Sequence, residues 1–327
     1  MTPPLKRRRF LKIIAAEVAL ASLGSRCLFG REGAPSLERH DWSGIALGSE
    51  ASLQIHLSDS SKAKKLTTLC VGELQRLEAI FSLYDARSEL SRLNQHGRLE
   101  KPAPELVELL ELSLSIHEKT MGAFDISIHP IIELYRNAFA VTQGPPTRLE
   151  LENAIRLVDL SQLEISSSRI AYGRKGMRLT LNGIAQGYIT DKITELLHNE
   201  GVEHTLVDCG EKRALGAHPE GRPWAIGILD GTNPNALYTL AEIENQALAT
   251  SGGYGTRFDE SGAFHHLINP RTGKSVSNYS SVSVIAAQAA TADALSTAIA
   301  TSRPEQVDSI LARFPQARAI LQTTDPA

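Results

Sequence analysis

Ser280-Ser281-Val282-Ser283-Val284-Ile285-Ala286-Ala287 reads as a strand, and Thr291-Ala292-Asp293-Ala294-Leu295-Ser296-Thr297-Ala298-Ile299-Ala300-Thr301 reads as a helix after it. The helix residues are mostly good helix formers, with Thr291 expected at the N-cap. Asp293 and Thr297 then stand at i and i+4 on one face. Spacing alone leaves their role open, because Asp293 can complement the helix dipole and Thr297 can bond back to a carbonyl. The loops just upstream change the weighing. Ala249-Thr250-Ser251-Gly252-Gly253-Tyr254-Gly255-Thr256-Arg257-Phe258 and His265-His266-Leu267-Ile268-Asn269-Pro270-Arg271-Thr272-Gly273 are dense in Gly, His, Arg and hydroxyls. Backbone N–H groups in Gly-rich turns can approach phosphate oxygens, and oxygen ligands suit Mg²⁺. Together these are the parts of a site for a phosphorylated ligand and a hard metal ion.

Outward from this stretch, 52–57 alternates like a strand and 62–80 has helical periodicity, with Leu66, Leu69, Cys70, Leu74 and Leu77 on its apolar face. Pro104 opens a helix to about 119, another follows Pro130, and 149–158 reads as a third. Strands are expected at 163–166, 169–172 and 177–181, then a helix over 183–198. Further strands fall at 205–207, 213–216, 224–229, 238–243 and 264–268, and a helix over 305–314 precedes a last strand at 318–321. Helices are grouped between blocks of strands rather than alternating one for one, which argues an α+β fold.

With 327 residues and 42% hydrophobic content the chain can bury a sizeable core. It has no internal repeat, no low-complexity tract, and neither a Walker-type nor a G-x-G-x-x-G phosphate loop. Residues 1–34 read as a targeting segment, leaving 35–327 for the functional domain. Lys6-Arg7-Arg8-Arg9-Phe10-Leu11-Lys12 resembles a twin-arginine export signal, and the apolar stretch after it is too short and polar for a comfortable membrane span. Cys27 raises lipidation, against which stand Arg26 and Gly24 where a small residue and Leu are expected. Residues 1–27 carry net +5 of the chain's −3, leaving −8 for the remainder, a poor footprint for nucleic-acid binding. Cys70 is expected as a buried thiol, and nothing in the sequence places it beside Cys209. Asn278-Tyr279-Ser280 matches a glycosylation sequon, which a bacterial-looking leader discounts.

The chain resembles the FAD:protein FMN transferases, the ApbE family, through several motifs in the family's order. They are Phe81-Ser82-Leu83-Tyr84 with Ser88-Glu89-Leu90-Ser91-Arg92-Leu93-Asn94, and Gly122-Ala123-Phe124-Asp125-Ile126-Ser127 with Pro130. Leu181-Asn182-Gly183-Ile184-Ala185-Gln186-Gly187-Tyr188 with Asp191 and Pro223-Trp224-Ala225-Ile226-Gly227-Ile228 follow, and the C-terminal stretches quoted above complete the set. The resemblance implies a T-fold-like architecture of mixed and antiparallel sheets with flanking helices. It implies Mg²⁺ held by Asp293, Thr297 and the Gly183 carbonyl, with Ser296 where relatives often carry a second acid. For FAD it points to Leu47, Tyr84, Ala123, Phe124, Asp125, Thr180, Gln186 and Ile268. Arg271 reads either as a phosphate fork or as a surface ion pair.

The implied chemistry is phosphoryl transfer: a threonine hydroxyl of a target protein attacks the FMN-side phosphorus of FAD, and AMP leaves. His266 matches the His of the family's His-x-x-Asp-Pro motif and is the expected base. The motif's Asp is Asn269 here, which can orient an imidazole but not stabilise its charge. Gly253, Gln186 and Cys209-Gly210-Glu211 are further departures. They keep two alternatives open, a non-catalytic FAD-binding or flavin-delivery protein and an FAD pyrophosphatase. Export implies a periplasmic site of action, and the expected acceptor is a periplasmic FMN-binding domain of a membrane redox protein.

Overall fold

The computed structural model describes residues 36–233 and 235–324; the expected export segment and Cys27 lie outside them. In chain order the elements are β1 (Glu38–Ala46), β2 (Ser49–Leu57), α1 (Ser60–Phe81), α2 (Glu89–His96), β3 (Arg98–Glu100), α3 (Pro104–Lys119), α4 (His129–Thr142) and α5 (Arg148–Ile155). Then come β4 (Leu163–Ile165), β5 (Arg169–Tyr172), α6 (Ala185–Asn199), β6 (Thr205–Asp208), β7 (Lys212–Leu215), β8 (Trp224–Leu229), β9 (Leu237–Ile243) and β10 (Ala247–Ser251). β11 (Tyr279–Ala286), α7 (Ala289–Thr301), α8 (Val307–Leu311) and β12 (Arg318–Thr323) complete the series.

Seven strands form one sheet in the order β1-β2-β6-β7-β10-β11-β12, every neighbouring pair antiparallel. Alternation along β10 and β11 sorts their side chains to the two faces. Ala247, Ala249, Val282, Val284 and Ala286 pack with Leu295 and Ile299 of α7 on one side. Leu248 and Ile285 pack on the other with Ile226 and Ile228 of the β8–β9 hairpin. Helices α1 and α6 share the helical face through Leu66, Leu74, Leu77, Tyr188, Ile189 and Ile193. The architecture is α+β, as the grouping of elements predicts.

Helix α7 is buried on nearly every side, as a helix apolar all round must be. Gly187 of α6 lies against its first turn so closely that a Cβ there would stand 2.3 Å from the Ala289 carbonyl oxygen. Asp191, one turn further along α6, accepts from the Ala289 and Ala290 N–H groups at 2.8 and 2.9 Å and pairs with Arg213 at 2.6 Å. This foreign carboxylate caps α7, so the helix begins at Ala289 and Thr291 sits inside it, not at its N-cap.

Other expectations also give way. Residues 177–181 form no strand, because the Asn94 side chain donates to the Leu179 carbonyl at 2.8 Å and accepts its N–H at 2.7 Å, taking the place of a neighbouring strand. Residues 264–268 contribute only isolated bridges, Arg257 to His265 and Ile268 to Ser275, as the loops fold back on themselves. The helix expected over 305–314 shortens to α8 after a 3₁₀ turn. Leu69 is exposed, although Leu66, Cys70, Leu74 and Leu77 are buried as the periodicity requires. Cys70 and Cys209 are both buried free thiols.

Candidate active site

A cavity of about 860 Å³ opens between the sheet, the β8–β9 hairpin and the loops before α6 and β11. Its wall includes Leu47, Ala123, Phe124, Asp125, Thr180, Gly183, Gln186, His266, Ile268, Asp293 and Thr297. Residues scattered over some 250 positions are thus brought to one surface. Tyr84 is not on that wall; it is exposed beyond the end of α1. Arg271 is not on the wall either; it lines a small adjoining cleft, where its Nη2 donates to the Met121 carbonyl at 2.6 Å. That carbonyl follows the C-terminus of α3, so the observed role of Arg271 is to tie the end of that helix.

Asp293 sits buried in α7, with Thr297 one turn on and Gly183 against Thr297 on the same cavity wall. A Cβ on Gly183 would stand 2.9 Å from Thr297 Oγ1, so the loop backbone meets the helix with no side chain between. Among the described residues, the one hydrogen bond to the Asp293 carboxylate is from Gly187 N–H at 3.2 Å. Burial raises its pKa to about 7, with the Asp191 charge adding to the shift against the Gly187 N–H. Glu211, just before β7, is half-buried on the cavity wall, and desolvation and the charge of Asp293 together push its pKa well above the ordinary range. Ser251 links Ser296 and Thr297 through hydroxyl contacts of 2.7 and 3.3 Å. Carboxyl, hydroxyl and backbone oxygens gathered where burial disfavours the carboxylate charge fit a hard divalent cation, which would restore the ionised form. Among the described residues no group of three or more His, Cys, Asp or Glu side chains is placed to hold a metal ion, so any cation here would rest on hydroxyl and backbone oxygens beside Asp293.

Glu211 is a functional candidate that motif spacing did not single out. The sequence marks it only as a departure in Cys209-Gly210-Glu211, and the fold puts it on the same cavity wall as Asp293, close enough for that charge to raise its pKa. Lys212 next to it is buried, its Nζ 2.8 Å from Asp208 Oδ2. Burial opposes the Lys212 charge, but the Asp208 carboxylate outweighs it and holds the ammonium above its ordinary value.

The two adjacent histidines separate cleanly. His266 lines the cavity with Nδ1 3.2 Å from the Thr256 carbonyl oxygen. An imidazole that donates from Nδ1 carries its lone pair on Nε2, the arrangement of a base. His265 points into the protein, and burial holds its pKa below the ordinary value. It packs on Gly253, where a Cβ would stand 2.9 Å from its ring, so the buried imidazole accounts for a glycine at that position. Asn269 does not orient His266. Its Oδ1 accepts from the Arg271 and Thr272 N–H groups at 3.0 and 3.1 Å, and its Nδ2 donates to the Thr301 carbonyl at 3.0 Å.

Asp125 caps the short turn after it through Ser127 N–H and Oγ at 2.8 and 2.6 Å, and His117 Nδ1 stands 3.5 Å from its other oxygen. Burial raises its pKa, opposed by Ser127 and His117. Gln186 donates to Ser49 Oγ at 2.7 Å, which ties α6 to the β1–β2 turn.

A family model described as the ApbE family matches residues 47–321. An FAD:protein FMN transferase of Vibrio cholerae serotype O1 is 30% identical over 292 residues, covering 86% of each chain. The FAD:protein FMN transferase of Escherichia coli K12 is 29% identical over 268 residues, 78% of this chain and 76% of the relative. The solved flavin transferase ApbE from Vibrio cholerae superposes with a TM-score of 0.76 at 25% identity, over 88% of this chain and 95% of that one. A flavinyl transferase ApbE from Pseudomonas stutzeri, in its apo form, also gives 0.76 at 25% identity, over 89% and 93%.

Proposed function

The chain belongs to the ApbE family, and from that membership we propose that it is an FAD:protein FMN transferase. In this reading the acceptor is a threonine hydroxyl of a target protein, Mg²⁺ is required, and AMP is released. The observation that carries it is the meeting, in one cavity, of the oxygen donors Asp293, Thr297 and Gly183 with the His266 imidazole. The cavity is of the size that encloses a large organic ligand.

The chain's own residues suit the steps. Leu47, Ala123, Phe124, Thr180 and Ile268 offer a largely apolar wall for the flavin, with Asp125 and Gln186 as polar contacts. Asp293, Thr297 and the Gly183 carbonyl would hold Mg²⁺. When bound it would neutralise charge developing on the diphosphate. A threonine hydroxyl is a weak nucleophile, and His266, its Nδ1 held by the Thr256 carbonyl, would take the proton at Nε2 as the oxygen attacks the FMN-side phosphorus. The P–O–P bridge then breaks and AMP carries away the electron pair.

We also assign residues 1–34 to twin-arginine export and the enzyme to the periplasm, with an FMN-binding domain of a membrane redox protein as acceptor. The Arg7-Arg8-Arg9 run supports this, and changing all three to Lys should leave the protein in the cytoplasmic fraction; undiminished periplasmic protein would sink the assignment. The central experiment incubates the enzyme with FAD, Mg²⁺ and an acceptor domain and analyses products by mass spectrometry. FMN esterified to a threonine supports the transferase. Free FMN plus AMP without acceptor modification would identify a pyrophosphatase, and bound but unchanged FAD a flavin-delivery protein.

A further inference from the structure

The β1–β2 connection is a two-residue turn, Leu47-Gly48, between the paired residues Ala46 and Ser49. Both turn residues have positive φ, 47° for Leu47 and 82° for Gly48. That is the tight hairpin geometry usually filled by Asn, Asp or Gly at both places. Gly48 suits it. A bulky Leu at positive φ does not adopt it unaided, because its Cβ crowds the following peptide. Something outside the turn must hold it, and two side chains from different helices do. The Glu78 carboxylate of α1 accepts the Leu47 N–H, and Gln186 of α6 donates to Ser49 Oγ at 2.7 Å.

The turn is also functional ground, since Leu47 and Ser49 line the cavity with Ile45 and Ala51 of the adjoining strands. Strain held in place at a ligand wall is a feature of preorganised sites. We propose that Glu78 and Gln186 are positioning residues that clasp the 46–49 turn in its bound-state shape, so that FAD meets a finished wall rather than ordering one as it binds. This rests on the cavity being the FAD site. It gives Gln186 a task for an uncharged amide, and it gives a half-buried glutamate with no place in the chemistry a reason to face the turn.

The expected signature is an effect on FAD capture and not on turnover. Removing a charged acceptor from a strained turn lowers the fraction of molecules with the wall formed, and apparent Kd rises in inverse proportion. Glu78→Ala should raise the FAD Kd, read by flavin fluorescence in Mg²⁺, and the KM for FAD by about tenfold, with kcat within about twofold. Hydrogen exchange over residues 42–52 should accelerate in the FAD-free Glu78→Ala protein and return to wild-type protection at saturating FAD. Glu78→Gln keeps an oxygen acceptor and should stay near wild type in both measurements, which separates a lost hydrogen bond from misfolding. Unchanged exchange in Glu78→Ala, or equal losses in the Ala and Gln substitutions, would overturn the clasp. Exchange is read on ligand-free protein, so a wild-type enzyme that failed to bind FAD would defeat the cavity reading while leaving the clasp tested.

Discussion

Gly187→Ala is a one-carbon change whose consequence can be worked out from the contact between α6 and α7. The added Cβ would stand 2.3 Å from the Ala289 carbonyl oxygen, 2.5 Å from its carbon and 2.7 Å from the Ala290 Cα. All three are backbone atoms, so no side chain can swing away, and the helices must part by about 1 Å to reach ordinary contact distances. Overpacking of this kind costs about 1–3 kcal/mol. The same movement pulls the Asp191 carboxylate from the Ala289 and Ala290 N–H groups it caps at 2.8 and 2.9 Å, adding about 1 kcal/mol. Against this, Ala in place of Gly favours a helix by about 1 kcal/mol. The net loss is about 1–3 kcal/mol, which lowers the melting temperature of a chain this size by roughly 2–5 °C. Gly72→Ala supplies the control. Gly72 lies in the exposed interior of α1 with nothing within 4 Å of the added carbon, so the same substitution should raise stability by about 0.5–1 kcal/mol. Thermal unfolding by circular dichroism on both proteins, side by side, reads the opposite signs. A Gly187→Ala protein melting at or above wild type would refute the α6–α7 contact as described.

Asp293 gives a test that combines pH and metal. Its carboxyl has a folded pKa of about 7 without a cation, above the usual unfolded value, so stability is highest where the group is protonated in both states and falls as pH rises from about 4 to 7. Asp293→Asn should remove that decline, be the more stable protein by on the order of 2–4 kcal/mol at pH 8 in EDTA, and lose flavin transfer. Mg²⁺ should raise the melting temperature of wild type and not of the variant; an equal rise in both would show the cation binds elsewhere. For the histidines, His266→Ala should keep FAD affinity and slow transfer by about 10²–10⁴. His265→Ala should instead cost about 1–3 kcal/mol of stability, because it empties the buried space above Gly253, with a smaller effect on rate. Matching kinetic losses with FAD binding destroyed in both would put the proton on another group.

Much of this fold is legible in the sequence because period and punctuation act locally. The apolar spacing of α1, Pro at the start of α3, and the Asp293–Thr297 spacing each report on a few consecutive residues. What escaped depends on partners distant in sequence. β1 reads as polar because it is an edge strand exposed along most of its length, and α2 is only eight residues long. The start of α7 cannot be read from its own residues because its cap is Asp191. Asn94, quoted only as the end of a motif, replaces a strand by bonding both backbone groups of Leu179. Asn269 was expected to steer an imidazole and instead fastens its loop to the end of α7. Glu211 shows the same limit in the site, because nothing in a lone Glu after Cys-Gly says that it will share a cavity wall with Asp293.

The capping of α7 by a residue of α6 also bears on when the site comes into being. Ala289 and the Asp191 that receives its N–H are 98 residues apart, and Gly187 and Asp293 are 106 apart. Closing loops of that length is slow and entropically unfavourable until the intervening strands have paired. The first turn of the segment bearing Asp293 gains its cap only once α6 and α7 have met. On the proposed reading, a chain lacking either helix would have no assembled place for a cation or for the diphosphate beside it. Occupancy of that proposed site would then report that two stretches about a hundred residues apart have met.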